Sequence, residues 1–139
     1  MTEILASRSF RGLASADAIE CVHDHLESLW LDVPFVQDMD QMTFTTAVIE
    51  SASNIVQHGE PAGQDPVELG VDITVQPTLL QARVSAYNAK PPFGPMAPGV
   101  PGDDAESGRG LALIEALVTT VTFERQDGTN TWVLTRESH

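Results

Sequence analysis

The run Phe44-Thr-Thr-Ala-Val-Ile-Glu-Ser-Ala-Ser-Asn-Ile-Val-Gln-His-Gly59 decides the fold. Glu50, Asn54 and His58 recur in it at helical spacing, and at about 3.6 residues per turn they form one slightly drifting stripe. Ala47, Val48, Ala52, Ile55 and Val56 supply an apolar side, and Gly59 stops the helix. A carboxylate one turn from a carboxamide can take a proton from a nucleophile and hold a cation-bound ligand, provided that a phosphate-binding element faces it from elsewhere. Without that element the stripe is only a solvated polar face.

Toward the N-terminus, Pro34 breaks the chain and Asp38 and Asp40 open this helix. Ser15 is placed to N-cap an earlier helix with Asp17 and Glu20 in its first turns, and Ile19, Val22, Leu26 and Leu29 form its core-facing stripe. That helix is expected to end near residues 30–33. Residues 3–10 are read as a strand, with Ile4, Ala6 and Phe10 on one side and Leu5, Ser7 and Ser9 on the other, an alternation that Arg8 spoils.

Beyond the polar turn at 60–66, Val67, Leu69, Val71, Ile73 and Val75 alternate with polar or small residues. Gln76-Pro77-Thr78 turns the chain, and Leu80, Ala82, Val84 and Ala86 alternate again, so the pair is expected to form an antiparallel hairpin with one buried face. Residues 88–110 hold half of the glycines and more than half of the prolines and show no apolar period. A loop of that length is either a lid or binding loop, or a plain surface excursion. It ends at Gly108-Arg109-Gly110-Leu111, where a helix starts with Leu111, Ile114, Leu117, Val118 and Val121 on its buried stripe. Glycines at a helix start let phosphate approach free N–H groups and the positive end of the dipole. Two strands, 120–125 and 131–136, follow, joined across Gln126-Asp127-Gly128-Thr129, whose Asp-Gly pair signals a tight hairpin.

The 139 residues are expected to make one domain, 1–139, with room for a sizeable core. Cys21 is the single cysteine, which excludes an intramolecular disulfide and fits a reducing compartment. No apolar run is long enough to span a membrane and the first residues lack a signal-peptide layout, so the expected location is cytoplasmic. Twenty acidic against seven basic residues give a formal charge of -13. That charge argues against nucleic-acid binding, and a nucleotide would need Mg²⁺ and backbone N–H groups to offset the repulsion.

The order strand, helix, helix, strand, strand, lid, helix, strand, strand predicts an α+β fold, a two-layer α/β sandwich with a mostly antiparallel sheet and helices on one face. Here the chain resembles the GHKL superfamily of ATP-binding domains and, within it, the anti-sigma-factor serine/threonine kinases of bacteria. Glu50-Ser-Ala-Ser-Asn54-Ile-Val-Gln-His58-Gly59 looks like the family's helix motif, and Gly108-Arg-Gly-Leu-Ala-Leu-Ile-Glu-Ala-Leu117 looks like its second glycine motif. The ending, Val121-Thr-Phe-Glu-Arg with Gly128-Thr129, is similar to its last hairpin.

The resemblance implies ATP and Mg²⁺ as cofactors, with Glu50 as general base toward an acceptor serine and Asn54 as the Mg²⁺ ligand. It implies that Gly108, Arg109, Gly110 and Leu111 cradle phosphates, that Thr129 lies near the adenine, and that His58 closes the helix. The implied partners are a sigma factor and an anti-sigma-factor antagonist of the STAS type, with no direct contact to nucleic acid or membrane. Dimerisation is common in such kinases, although no exposed apolar stripe in this sequence marks a homodimer interface.

One motif departs from the family. Its first glycine motif has an aspartate, one residue and a glycine, where this chain has Asn88, Ala89 and Lys90 in Tyr87-Asn-Ala-Lys-Pro-Pro-Phe93. An asparagine oxygen still accepts a hydrogen bond from the adenine amino group, at a loss of about 1–2 kcal/mol. If the glycine position has positive φ, Lys90 adds roughly another 1–2 kcal/mol of strain, unless its ammonium recovers some by reaching a phosphate. Two readings therefore stand: an active kinase, and a module of the same fold that sequesters a partner without turning over ATP.

Overall fold

The computed structural model describes residues 3–92 and 109–137 of the chain. In order, the elements are β1 (Ala6–Leu13), α1 (Ala16–Asp32), α2 (Asp38–His58), β2 (Glu68–Gln76), β3 (Leu79–Tyr87), α3 (Arg109–Leu117), β4 (Thr120–Gln126) and β5 (Thr129–Glu137). The strands form one open sheet in the order β1-β2-β3-β5-β4, with every neighbouring pair antiparallel. Together with the three helices this is an α+β fold.

Alternation in β2 and β3 builds the core. Leu69 pairs with Ala86, Val71 with Val84, Ile73 with Ala82 and Val75 with Leu80, and all eight are buried. Large residues face small ones twice across that ladder, so the layer stays level beneath the helices. α1 adds Val22, Leu26 and Leu29, and α2 adds Phe44, Ala47, Val48, Ala52 and Ile55, to the same cluster. Trp30 donates its indole N–H to Thr45 Oγ1 at 2.9 Å and meets Phe44 edge-on at 6.2 Å, which ties α1 to α2.

Helix ends follow local chemistry. Ser15 has extended backbone and its Oγ accepts from the Ala18 N–H, satisfying one of the free donors of α1. Replacing Ser15 by alanine is expected to lower stability by about 1 kcal/mol. Chemical denaturation checks it, and an unchanged midpoint would show that solvent caps the helix as well. Gly59 ends α2 at φ −65°. A side chain is excluded there because Cβ would stand 2.6 Å from the Ile55 carbonyl oxygen, not because the backbone is left-handed.

Several expectations need correction. The first strand runs from Ala6 to Leu13 rather than over 3–10. Arg8 does not spoil its alternation: Ala6, Arg8, Phe10 and Gly12 share the inner parity, and Arg8 reaches past the sheet edge to pair with Asp32 and to donate to Ser28 Oγ. The long stem of arginine lets a charge occupy an inward position while its head stays wet. Val121 belongs to β4, not to the α3 stripe, of which Ile114 is the fully buried member, and Val118, also buried, lies just past the end of the helix. The final strand begins at Thr129 and ends at Glu137.

The turn between β4 and β5 has Asp127 at φ 52° and Gly128 at φ 78°, the mirror-image geometry that matches strand twist in a two-residue hairpin. On the outer face of the sheet, Tyr87 lies flat across Gly70, where an added Cβ would come 2.5 Å from the ring. The Arg11 guanidinium stacks on the other side of Tyr87 at 3.7 Å. At the far end of α2, Arg136 of β5 donates to Asp40 Oδ1 at 2.8 Å and to the Leu117 carbonyl at 2.7 Å. One side chain thereby ties the start of α2 to the end of α3.

Candidate functional site

A cleft of about 370 Å³, counting its open mouth, lies at the C-terminal half of α2. Asn54, Ile55 and His58 line it from α2, Ala86, Asn130 and Trp132 from the sheet, and Ala89 to Pro92 from the segment after β3. Its walls are mostly apolar with a few polar groups, the make-up of a small-ligand site.

Asn54 is buried, and its Nδ2 donates to the Glu50 carbonyl at 2.8 Å. Anchoring the amide through its nitrogen leaves Oδ1 as the acceptor, and no partner engages that oxygen among the described residues. The bond runs to the Glu50 backbone and not to its carboxylate, which carries no hydrogen bond or ion pair among the described residues. Glu50 stands one turn nearer the start of α2, about 6 Å along the axis, and does not itself line the cleft. A free, half-buried carboxylate beside a cleft can accept a proton, and a fixed carboxamide oxygen can ligate a hard cation.

Segment 88–90 forms a stapled wall. The Asn88 carbonyl accepts from Ala62 N–H, Ala89 N–H donates to the Gly128 carbonyl, and Lys90 N–H donates to the Glu60 carbonyl, each at 2.9 Å. Asn130 donates through Nδ2 to the Lys90 carbonyl at 2.8 Å and accepts from Arg125 Nη1 at 2.6 Å. Arg125 also donates to the Ala89 carbonyl. The segment is thus held between the 60–66 turn and the β4–β5 hairpin.

This geometry revises the expected strain. Lys90 has no positive φ; among described non-glycine residues only Asn88, at φ 61°, and Asp127 do. Asparagine is among the few residues that adopt left-handed backbone at small cost. The penalty assigned to Lys90 therefore does not arise, and its exposed side chain stands at the mouth of the cleft. Asn88 donates its amide to the Pro66 carbonyl at 3.2 Å and is not a lining residue.

Other expected positions distribute as follows. Thr129 borders a shallow outer-face depression with Arg83, Glu124 and Thr131, on the side of the sheet away from the cleft. His58 is the last residue of α2 and lines the cleft. Gly108 lies outside the described residues, as does most of the 88–110 loop. The α3 backbone begins at Arg109, continues through Gly110 and Leu111, and the helix packs against α2.

Asn130 and Trp132 escaped the sequence reading. Their parity was available, because Trp132 and Leu134 mark the even positions of β5 as inward and so exclude Thr129 from the same face. Trp132 is 2% exposed, and its Nε1 is a buried side-chain donor with no hydrogen-bond partner among the described residues. Leaving such a group unmatched costs about 1–3 kcal/mol.

A family model described as "Histidine kinase-like ATPase domain" matches residues 15–136. No curated protein matches the chain. Among solved structures, the chain is similar to the crystal structure of the RsbU and RsbW domains of Rv1364c from Mycobacterium tuberculosis, with a TM-score of 0.70 at 20% identity. That match covers 96% of this chain and 33% of the other, so this chain spans about a third of its length. At that identity the likeness concerns the fold.

Proposed function

This chain belongs to the histidine kinase-like ATPase domain family, and from that membership we propose that it is an anti-sigma-factor serine kinase that binds ATP with Mg²⁺ in the cleft beside α2. The observation that carries the reading is Asn54, buried at the cleft wall with its amide nitrogen anchored, one turn from Glu50, with neither its oxygen nor the Glu50 carboxylate engaged among the described residues. ATP supplies the transferable phosphoryl group.

The residues divide the work. Asn54 holds Mg²⁺, an ion that keeps most of its waters and needs few protein oxygens. Glu50 takes the proton of an acceptor serine hydroxyl. The backbone at Gly108, Arg109, Gly110 and Leu111 cradles phosphates at the start of α3, where the N–H groups and dipole offset anionic charge. Ile55, Ala86, Ala89 and Pro92 exclude water from the apolar part of the cleft. Lys90 at the mouth can approach a phosphate. The acceptor serine belongs to a STAS-type antagonist, and the protein sequesters a sigma factor when that antagonist is absent. With a formal charge of -13, the surface suits partners bearing basic patches and disfavours nucleic acid.

A second reading rests on a specific observation: Asn88, whose Nδ2 donates to the Pro66 carbonyl, lies outside the cleft lining. Without that contact to the base, the fold could sequester a partner with no ATP turnover. Calorimetric titration with ATP and ADP, with and without Mg²⁺, separates the two. Saturable Mg²⁺-dependent binding is expected. No heat at millimolar nucleotide would remove the kinase reading and leave the sequestering module.

A further inference from the structure

We infer that Trp132 is the residue that reads the base: its indole N–H donates a hydrogen bond to a ring nitrogen of adenine bound in the cleft. The inference rests on the nucleotide reading above and adds to it a residue whose role neither the helix motif nor the glycine motifs supply.

Elimination among the lining groups leads to it. Asn130, two residues earlier on the same face of β5, has both ends of its amide committed, to Lys90 and to Arg125. Asn88 anchors its Nδ2 on the Pro66 carbonyl and lies outside the cleft lining. Asn54 is taken by the cation. His58, Glu60 and Lys90 are exposed at the rim, where water competes for any bond they make. What remains within the cleft lining is Trp132, nearly fully buried and with a donor unmatched among the described residues.

Its surroundings suit a flat heterocycle. Ala86 and Ala89 are small residues in the same lining, and Ile55, Pro91 and Pro92 add apolar surface. Phe123 packs against the indole at 5.1 Å, tilted by 55°, and helps fix the ring. An indole N–H can only donate. Adenine has three in-plane acceptors, the ring nitrogens N1, N3 and N7, and no carbonyl oxygen, so the partner must be one of those three.

The test uses the intact protein and needs no substitution. Affinities for Mg²⁺-ATP and for its 1-deaza, 3-deaza and 7-deaza analogues are compared, while the two indole N–H resonances are followed by ¹⁵N NMR. One analogue is expected to bind roughly 10-fold more weakly than ATP, the effect of one buried hydrogen bond. The Trp132 resonance should move downfield with ATP and stay in place with that analogue. Trp30, already bonded to Thr45, serves as the internal reference. In a Trp132→Phe variant the three analogues should bind alike.

Equal affinity for all four nucleotides with an unmoved Trp132 resonance would overturn the inference while leaving ATP binding intact. Failure of every nucleotide to bind at millimolar concentration would overturn it together with the nucleotide reading, so the two failures are distinguishable. Should the phenylalanine variant not fold, the analogue series on the unmodified protein decides alone.

Discussion

Replacing Glu50 by glutamine is expected to lower phosphotransfer to a serine acceptor by roughly 100- to 10,000-fold, the range over which a positioned general base contributes. The change keeps the length of the side chain and its helix propensity, and removes only the charge that accepts the proton. Because Glu50 is half-buried and outside the cleft lining, nucleotide affinity should be unchanged. Asn54 is unaffected too, since its amide bonds to the backbone of residue 50 rather than to its carboxylate. Single-turnover phosphotransfer and calorimetry on the same preparation check both halves. A variant that transfers phosphate at the original rate would show that Glu50 is not the base. A variant that also loses nucleotide would show that the carboxylate helps to build the cleft.

Replacing Arg136 by methionine is expected to cost about 3 kcal/mol, the low end for removing one partner of a buried ion pair. The side chains of Arg136 and Asp40 are 23% and 11% exposed, so solvent screens the pair only in part. Methionine retains much of the apolar stem but abandons both the Asp40 carboxylate and the Leu117 carbonyl at the end of α3. For a domain of this size the midpoint of thermal unfolding should fall by roughly 10 °C. Circular dichroism measures it, and a fall of less than about 2 °C would place the pair among those worth little. Asp40→Asn keeps an acceptor without its charge and separates hydrogen bonding from ion pairing. Since α3 also carries Arg109 and Gly110, loosening its far end should weaken nucleotide binding in the folded Arg136 variant as well.

Much of the architecture was legible because its period is dictated by burial. In the β2–β3 hairpin each apolar residue has one face to go to, and a register slip would expose the whole set. The Ser15 cap, the break at Pro34 and the Asp127-Gly128 turn are local chemistry and could be located from the residues themselves. Misreadings came where two rules meet. Val118 to Val121 continues both a helical stripe and a strand alternation, and periodicity alone cannot say where one gives way to the other. Arg8 was treated as an interruption because a charge is assumed to face outward, yet at an edge strand its head reaches Asp32.

The site was legible on one side only. Glu50 and Asn54 share a helix, so their spacing carries their juxtaposition. Asn88 and Lys90 depend on distant partners, Pro66, Glu60, Gly128 and Asn130, and no local pattern announces those bonds. The sequence marks the substitution of an aspartate by Asn88. Only the fold shows that this asparagine is the left-handed residue and that Lys90 is unstrained.

Gly70 and Tyr87 bear on how this protein can change over generations. The ring occupies the space that a side chain at residue 70 would need, and Arg11 covers it from the other side. The two positions therefore make an ordered pair of evolutionary steps. A lineage can lose the tyrosine first at the modest cost of one exposed stacking contact, and then acquire any strand-forming residue at 70. Taken in the opposite order, the first step displaces the ring and strands Arg11, so variants with a bulky residue at 70 and a tyrosine at 87 should be rare among its descendants.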